Sequence, residues 1–178
     1  MRTFLKWLAY IIAAVAIIIV GGSFHLPDEA SFSRSAEIAA PPEKVFAIVA
    51  SLKRFQEYSP WAELDPKTVY TFEGHETGIG QKMSWSSEDT NVGKGSQTIT
   101  GLTQGRSISV DLDFGDMGTA VSVWTFEPSS AGTKATWGFT SPKLEGVTMK
   151  WMGLMFDRWV GPDYAKGLAR LKAVAEKP

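Results

Sequence analysis

Histidine is the side chain best suited to move a proton near neutral pH, and the sequence holds two, His25 and His75. His25 follows directly on an apolar N-terminal run, and His75 sits in a glycine-bearing segment, Gly74 to Gly80, where an imidazole is ordinarily solvated. A Ser/His/Asp triad would have to rest on His75, and no partner can be assigned to it. Cysteine is absent, which removes disulfides, thiolate nucleophiles and Cys-ligated metals, and leaves the compartment open. Gly78-x-Gly80 and Gly93-Lys94-Gly95-Ser96 are suggestive of phosphate loops, but neither completes a dinucleotide or P-loop pattern, and both fall between strand patterns, so they read as turns. Asp111-x-Asp113-x-Gly115-Asp116 holds half of a calcium loop without its distal Glu, and reads as outward strand carboxylates. No metal or cofactor is expected from these residues.

Apolar and aromatic residues carry the stronger signal. Tyr70, Trp85, Trp124, Trp137 and Trp159 form a set that would ordinarily be plain core. Two features suit an adaptable pocket wall instead. Met83, Met152 and Met155 are flexible, and Gln97 falls on an otherwise apolar strand face, where an unpaired amide costs about 1–3 kcal/mol. The expected ligand-binding set is therefore Tyr70, Met83, Trp85, Gln97, Val110, Trp124, Trp137, Met155 and Trp159. Tyr70, Gln97 and Glu73 are the candidate interior polar groups, and they make no acid–base pair of the kind catalysis requires.

The elements that must position this set are read from periodicity. Ser35 to Ala39 predicts a first strand, ended by Pro41-Pro42, after which Val45, Phe46, Ile48, Val49 and Leu52 give one apolar face of a short helix starting at proline. A second short helix, Leu52 to Tyr58 with Ser51 as its cap, must stop at Ser59-Pro60. From Thr68 onward the period is two, in short segments separated by glycine-bearing turns, which predicts an antiparallel meander. Tyr70 and Phe72, Met83 and Trp85, Gln97 and Ile99, then Ile108, Val110, Leu112 and Phe114, Trp124 and Phe126, and Ala135, Trp137 and Phe139 take one face. Lys82, Lys94, Asp111, Asp113, Lys134 and Thr136 take the other. Gly146 to Lys177 is helical in period, with an apolar stripe Met152, Met155, Phe156 and Trp159 and a kink or restart expected at Pro162. This helix is expected to cover the sheet face carrying Trp85, Val110 and Trp137.

Composition bounds the rest. The 18 Lys and Arg against 19 Asp and Glu give a net charge of −1, with no basic field to gather nucleic acid, so none is expected as a partner. Behind Arg2 and Lys6, Trp7 to Phe24 carries no charge, enough residues to span a bilayer at the short end. A retained anchor and a cleaved signal peptide share this design; the exit lacks Ala-x-Ala, and Trp7 and Tyr10 suit an interfacial anchor. Cationic residues before the run place the following domain on the non-cytoplasmic, periplasmic side of the cell membrane. The expected organisation is an anchor over residues 1–24, a linker over 25–32 and one domain over 33–178.

Ile38-x-Ala40-Pro41-Pro42-x-x-Val45-Phe46, Ser59-Pro60-Trp61, Phe72-Glu73-Gly74 leading to Gly78-x-Gly80 and Trp85, and Gly161-Pro162-Asp163-Tyr164-x-x-Gly167-Leu168-x-x-Leu171-Lys172 occur in that order. In this order the chain resembles the START-like superfamily called SRPBCC, in particular its polyketide cyclase/dehydrase and lipid-transport branch. The resemblance implies an α+β helix-grip fold, a curved antiparallel sheet wrapped on a long C-terminal helix with an apolar cavity between them. It implies a small hydrophobic ligand, lipid-like or polyketide-like, in a family that ranges from lipid carriers to ring-closing enzymes; with no acid–base pair among the interior residues, binding or carriage without catalysis is the expectation. A cyclase or dehydratase acting on a hydrophobic substrate and an envelope protein-interaction module are the alternatives, and oligomeric state is not legible.

Overall fold

The computed structural model describes residues 2–177; Met1 and Pro178, the outer limits of the expected segments, lie outside them. Helix α1 spans Arg2–Ser23 and strand β1 Ser31–Ile38, followed by α2 at Pro42–Val49, a 3-10 turn at Leu52–Arg54, α3 at Phe55–Tyr58 and a second turn at Trp61–Glu63. Six strands follow: β2 Val69–Glu73, β3 Lys82–Ser86, β4 Lys94–Thr103, β5 Ser107–Asp113, β6 Thr119–Ser129 and β7 Gly132–Thr140. Helix α4, Gly146–Ala175, closes the chain. The strands form one antiparallel sheet ordered β1-β7-β6-β5-β4-β3-β2, the meander with its first strand returned beside its last.

Register explains why this sheet has one apolar face. Cross-strand rows run Phe72, Met83, Gln97, Leu112 and Ala120, then Ile99, Val110, Ser122, Phe139 and Phe32, then Leu102, Ile108, Trp124, Trp137 and Arg34. A bulge between Ile99 and Gly101 keeps Ile99 and Leu102 on the same face although three positions separate them. On the outer face Lys134 stands opposite both Glu37 and Glu127, pairs whose opposite charges favour this register. Lys94 and Trp85 lie on opposite faces, as expected from the period.

The helical residues begin where proline allows. Pro42 opens α2, and Val45, Phe46, Ile48 and Val49 are buried from it, with Phe46 edge-on to Phe126 at 5.7 Å. At the next turn the expected Ser51 cap does not form. The free N–H of Leu52 is taken instead by the Gln81 side-chain oxygen at 2.7 Å, and the Gln81 amide donates to the Glu76 carbonyl. A buried glutamine thus does from another element what a capping serine would do locally. The Gly74–Gly80 turn below it needs glycine: Gly74 has φ +79°, and a side chain there would collide with the Gly80 carbonyl.

Three expectations about the framework are corrected. The first strand begins at Ser31, not Ser35, because Phe32 stacks on Phe139 at 5.1 Å and Ser33 to Ser35 pair with Gly138 to Thr136, so part of the supposed linker is sheet. Of the kink or restart expected at Pro162, the restart is absent: helix α4 runs unbroken through it. Pro162 and Arg158 are both exposed, so the carbonyl that loses its donor four residues back faces water. Last, α4 does not cover the whole apolar face: it packs mainly on β1, beside α3 and β7, over the Trp137 end, while Trp85 stays half-buried at the far end of the sheet.

Candidate functional site

The interior beneath α4 is filled by rings. Trp124 and Trp137, opposite each other in β6 and β7, stack at 4.4 Å, and Tyr164 from α4 stacks on Trp137 at 4.0 Å. Tyr58 and Trp61 meet this stack edge-on, Tyr58 at 5.9 Å from Trp124 and Trp61 at 6.2 Å from Trp137. The order of elements brings them together: α3 stops at Ser59-Pro60, which turns the chain so that Tyr58 and Trp61 both meet the Trp137 ring. Ser122 lies among these rings, accepting the Trp137 indole N–H at 2.7 Å. Burial pushes the Tyr58 and Tyr164 phenols well above the ordinary tyrosine range, so both are neutral hydroxyls at any physiological pH.

Past this plug, the apolar face continues toward β2 and β3. Met83 and Gln97 are buried and directly opposite, with half-buried Leu112 next in the row and partly exposed Phe72 at its edge. The Gln97 amide has a single hydrogen-bond partner among the described residues, the Met83 thioether, at 3.8 Å. A sulfur acceptor at that distance is weak, so the amide retains most of its bonding capacity. Tyr70 and Trp85 form the next pair outward; Trp85 donates to the Val92 carbonyl at 3.2 Å and lies against Gly95, where any side chain would strike its ring at 2.5 Å. Tyr70 is half-buried, and desolvation raises its phenol pKa.

The expected ligand set is therefore divided. Met83, Gln97, Tyr70 and Trp85 share one end of the concave face, and Val110 lies buried between Ile99 and Ser122. Trp124 and Trp137 are buried and stacked on each other in the plug beneath α4. Trp159 is 53% exposed and Met155 half-exposed on the first half of α4, so neither is enclosed. Glu73 is exposed and opposite Lys82, which removes it from the interior polar groups. His75 is exposed in its turn. Asp113 accepts the Gly115 N–H at 2.8 Å and Asp111 the Thr100 hydroxyl at 3.1 Å, the ordinary duties of strand-end carboxylates. Two shallow depressions, of about 510 and 390 Å³, lie along the polar outer face around Lys82, Ser96 and Asp113, away from Gln97. Among the described residues no cluster of His and carboxylates could hold a metal.

Sequence reasoning passed over Tyr58, Ser122, Tyr164 and Arg34. Arg34 points inward from β1 and pairs with Asp157 of α4, above Gly161, where any side chain would collide with the guanidinium. Strand alternation placed it on the apolar face, and only the neighbouring helix supplies its partner.

A long helix thus rests against the aromatic face of a curved antiparallel sheet. The match of the family model for polyketide cyclase / dehydrase and lipid transport runs over residues 29–176. The chain belongs to this family. Solved structures agree on the polyketide cyclase/dehydrase fold. A protein from Chromobacterium violaceum is 18% identical, with 84% of this chain and 99% of that one aligned at a TM-score of 0.57. A protein from Rhizobium leguminosarum is 16% identical over 84% of this chain and 96% of its own, at 0.61. The di-domain ARO/CYC StfQ of the steffimycin biosynthetic pathway is 17% identical over 83% of this chain and 51% of its own, also at 0.61. No curated protein matches the chain. At these identities the neighbours establish the helix-grip fold and nothing about ligand. The helix Thr3–Ser23, outside the family match, is long and apolar enough to cross a membrane, a property that anchors and signal sequences share.

Proposed function

We propose that this member of the polyketide cyclase/dehydrase and lipid transport family binds or carries a small hydrophobic molecule with a polar end, without transforming it, while α1 holds it to a membrane. The ligand site is the open end of the grip, with Met83, Gln97 and Leu112 as its floor and Tyr70, Phe72 and Trp85 along the β2–β3 side. The observation that carries this reading is the Gln97 amide, on an apolar face, whose one hydrogen-bond partner among the described residues is a thioether. A polar headgroup would supply the missing partners, and the ligand's apolar part would lie on the methionine and aromatic surface around it.

The absence of chemistry is supported by the polar groups at the other end of the grip. The enclosed phenols of Tyr58 and Tyr164 are held neutral, and the Arg34–Asp157 pair bonds to itself across β1 and α4. A cyclase or dehydratase needs a group whose pKa is set near its working pH beside a second polar group. The domain stands on the non-cytoplasmic side in this reading. Native mass spectrometry of the detergent-solubilised chain, with solvent extraction of what co-purifies, tests it. A lipid-like molecule in near-equimolar amount is the expected result, and a chain that stays ligand-free when mixed with a panel of lipids would refute the binding role.

A further inference from the structure

The first half of α4 carries an apolar stripe that the domain does not use. Trp151, Met155 and Trp159 follow one another at four-residue intervals with Met152 beside them, while Gly153, Gly161, Tyr164 and Leu168 lie on the opposite side, against the body of the protein. Trp159 is 53% exposed, Met152 38% and Trp151 37%, an unusual density of large apolar groups on one helix face.

This stripe runs into α1. The Trp151 indole donates to the Ile19 carbonyl at 3.0 Å, and its ring covers Gly22, both in the last turns of α1. The start of α4 is tied to the exit of α1 a second time: Lys150 pairs with Asp28 at 2.5 Å, and the Leu144 N–H donates to the Asp28 carbonyl at 2.6 Å. Between Ser23 and Ser31 the chain can reach only about 25 Å even fully extended. Wherever α1 leaves a bilayer, the first half of α4 is held beside that point.

We infer that the Trp151–Trp159 face of α4 rests on the surface of the same bilayer that α1 crosses, as an interfacial helix with lipid as its occupant. Tryptophan and methionine suit the headgroup–acyl boundary, where an apolar helix face sinks about 5–10 Å. The inference rests on the reading of α1 as an anchor.

Because the native chain lacks cysteine, single labels report the contact directly. Met155→Cys, Trp159→Cys and, on the outer sheet face, Lys94→Cys are each labelled with an environment-sensitive fluorophore in the full chain. The labelled chains are reconstituted into phosphatidylcholine–phosphatidylglycerol vesicles. Labels at 155 and 159 are expected to lose most of their quenching by aqueous iodide and to gain quenching by lipids doxyl-labelled near the headgroup, while the label at 94 does the reverse. Iodide quenching at 155 and 159 equal to that at 94 would overturn the inference. So would protection from iodide without doxyl quenching, which would mean that a second copy or another protein segment covers the face. Alkaline carbonate extraction scores the anchor separately: a chain that carbonate releases but whose labels remain doxyl-quenched refutes the anchor and keeps the interfacial helix. A chain that does not float with vesicles at all refutes both.

Discussion

An amide facing a thioether is nearly free to bond elsewhere, whereas one that serves two backbone groups is not, and Gln97 and Gln81 are buried examples of each. Gln97→Leu should leave stability unchanged or raise it, because little bonding is lost and an apolar surface is completed. The same change should weaken a polar-headed ligand by one neutral hydrogen bond, about 0.5–1.5 kcal/mol or roughly two- to tenfold in affinity. Gln81→Leu should instead lower stability by about 1–3 kcal/mol, since it strands the buried Leu52 N–H. Urea denaturation of both variants, with titration of the co-purifying lipid into the first, compares them; a Gln97→Leu protein that melts early and binds normally would make that residue structural. Tyrosine ionisation gives a second residue-level test. Tyr58 and Tyr164 have folded-state pKa values raised by burial, so above the unfolded value of about 10 the unfolded chain loses protons that the native state keeps. Stability is therefore undiminished below that pH and falls as pH rises beyond it. Phenolate absorbance should show Tyr58 and Tyr164 ionising only together with the loss of native tertiary signal, and early, reversible ionisation of all four tyrosines would show the plug to be open.

Helix α4 is seated by glycines whose neighbours differ in how far they can yield. At Gly167 a methyl group would lie 2.6 Å from the Trp137 ring and 3.3 Å from Pro60, both fixed in the aromatic plug. Gly167→Ala gains up to about 1 kcal/mol of helix propensity, but overpacking of this kind costs about 1–3 kcal/mol, so a net loss of stability is expected. At Gly161 the obstacles are the ends of the Arg34 and Asp157 side chains, the latter 2.6 Å away, and flexible tips can swing aside. Gly161→Ala should therefore be closer to neutral, with the surface-exposed ion pair contributing little to the balance. Thermal melts of the two variants should rank Gly167→Ala well below Gly161→Ala, and equal melting temperatures would mean that α4 is not clamped at the Trp137 ring. Trp124→Ala removes a ring stacked on both Trp137 and Phe126 and should cost about 3–5 kcal/mol, the behaviour of core rather than of a pocket wall.

For the whole molecule the decisive question is where the domain stands relative to a membrane. Expressed with its own N-terminus in a bacterial host, the chain should fractionate with membranes and resist carbonate, and protease added to spheroplasts should digest the domain. Recovery of a mature soluble protein beginning near Ser23 would make α1 a signal peptide. Protection in spheroplasts with digestion only after lysis would reverse the orientation.

The sheet, its two faces and the order of its helices were legible because each rests on local regularities: a period of two from Thr68 onward, a period near 3.6 from Gly146, and proline or glycine at the joints. In the meander from Thr68 onward the apolar side could be assigned because alternation admits only two choices and the charged residues there mark the other; in β1 the rule fails, since Arg34 shares a face with Trp137. Which apolar residues fill space and which border it could not be assigned, because that depends on distances between elements far apart in sequence. Trp124 and Trp137 looked equivalent to Trp85 until α3 and α4 brought Tyr58, Trp61 and Tyr164 against the first two and left the third at the sheet's open end. Gln97 was conspicuous as a polar residue on an apolar face, but only the tertiary structure decided that its partner would be a methionine sulfur rather than another amide. The same holds for α4, whose amphipathic stripe shows that something must cover it, while the register of α4 against β1 determines that the domain itself does not.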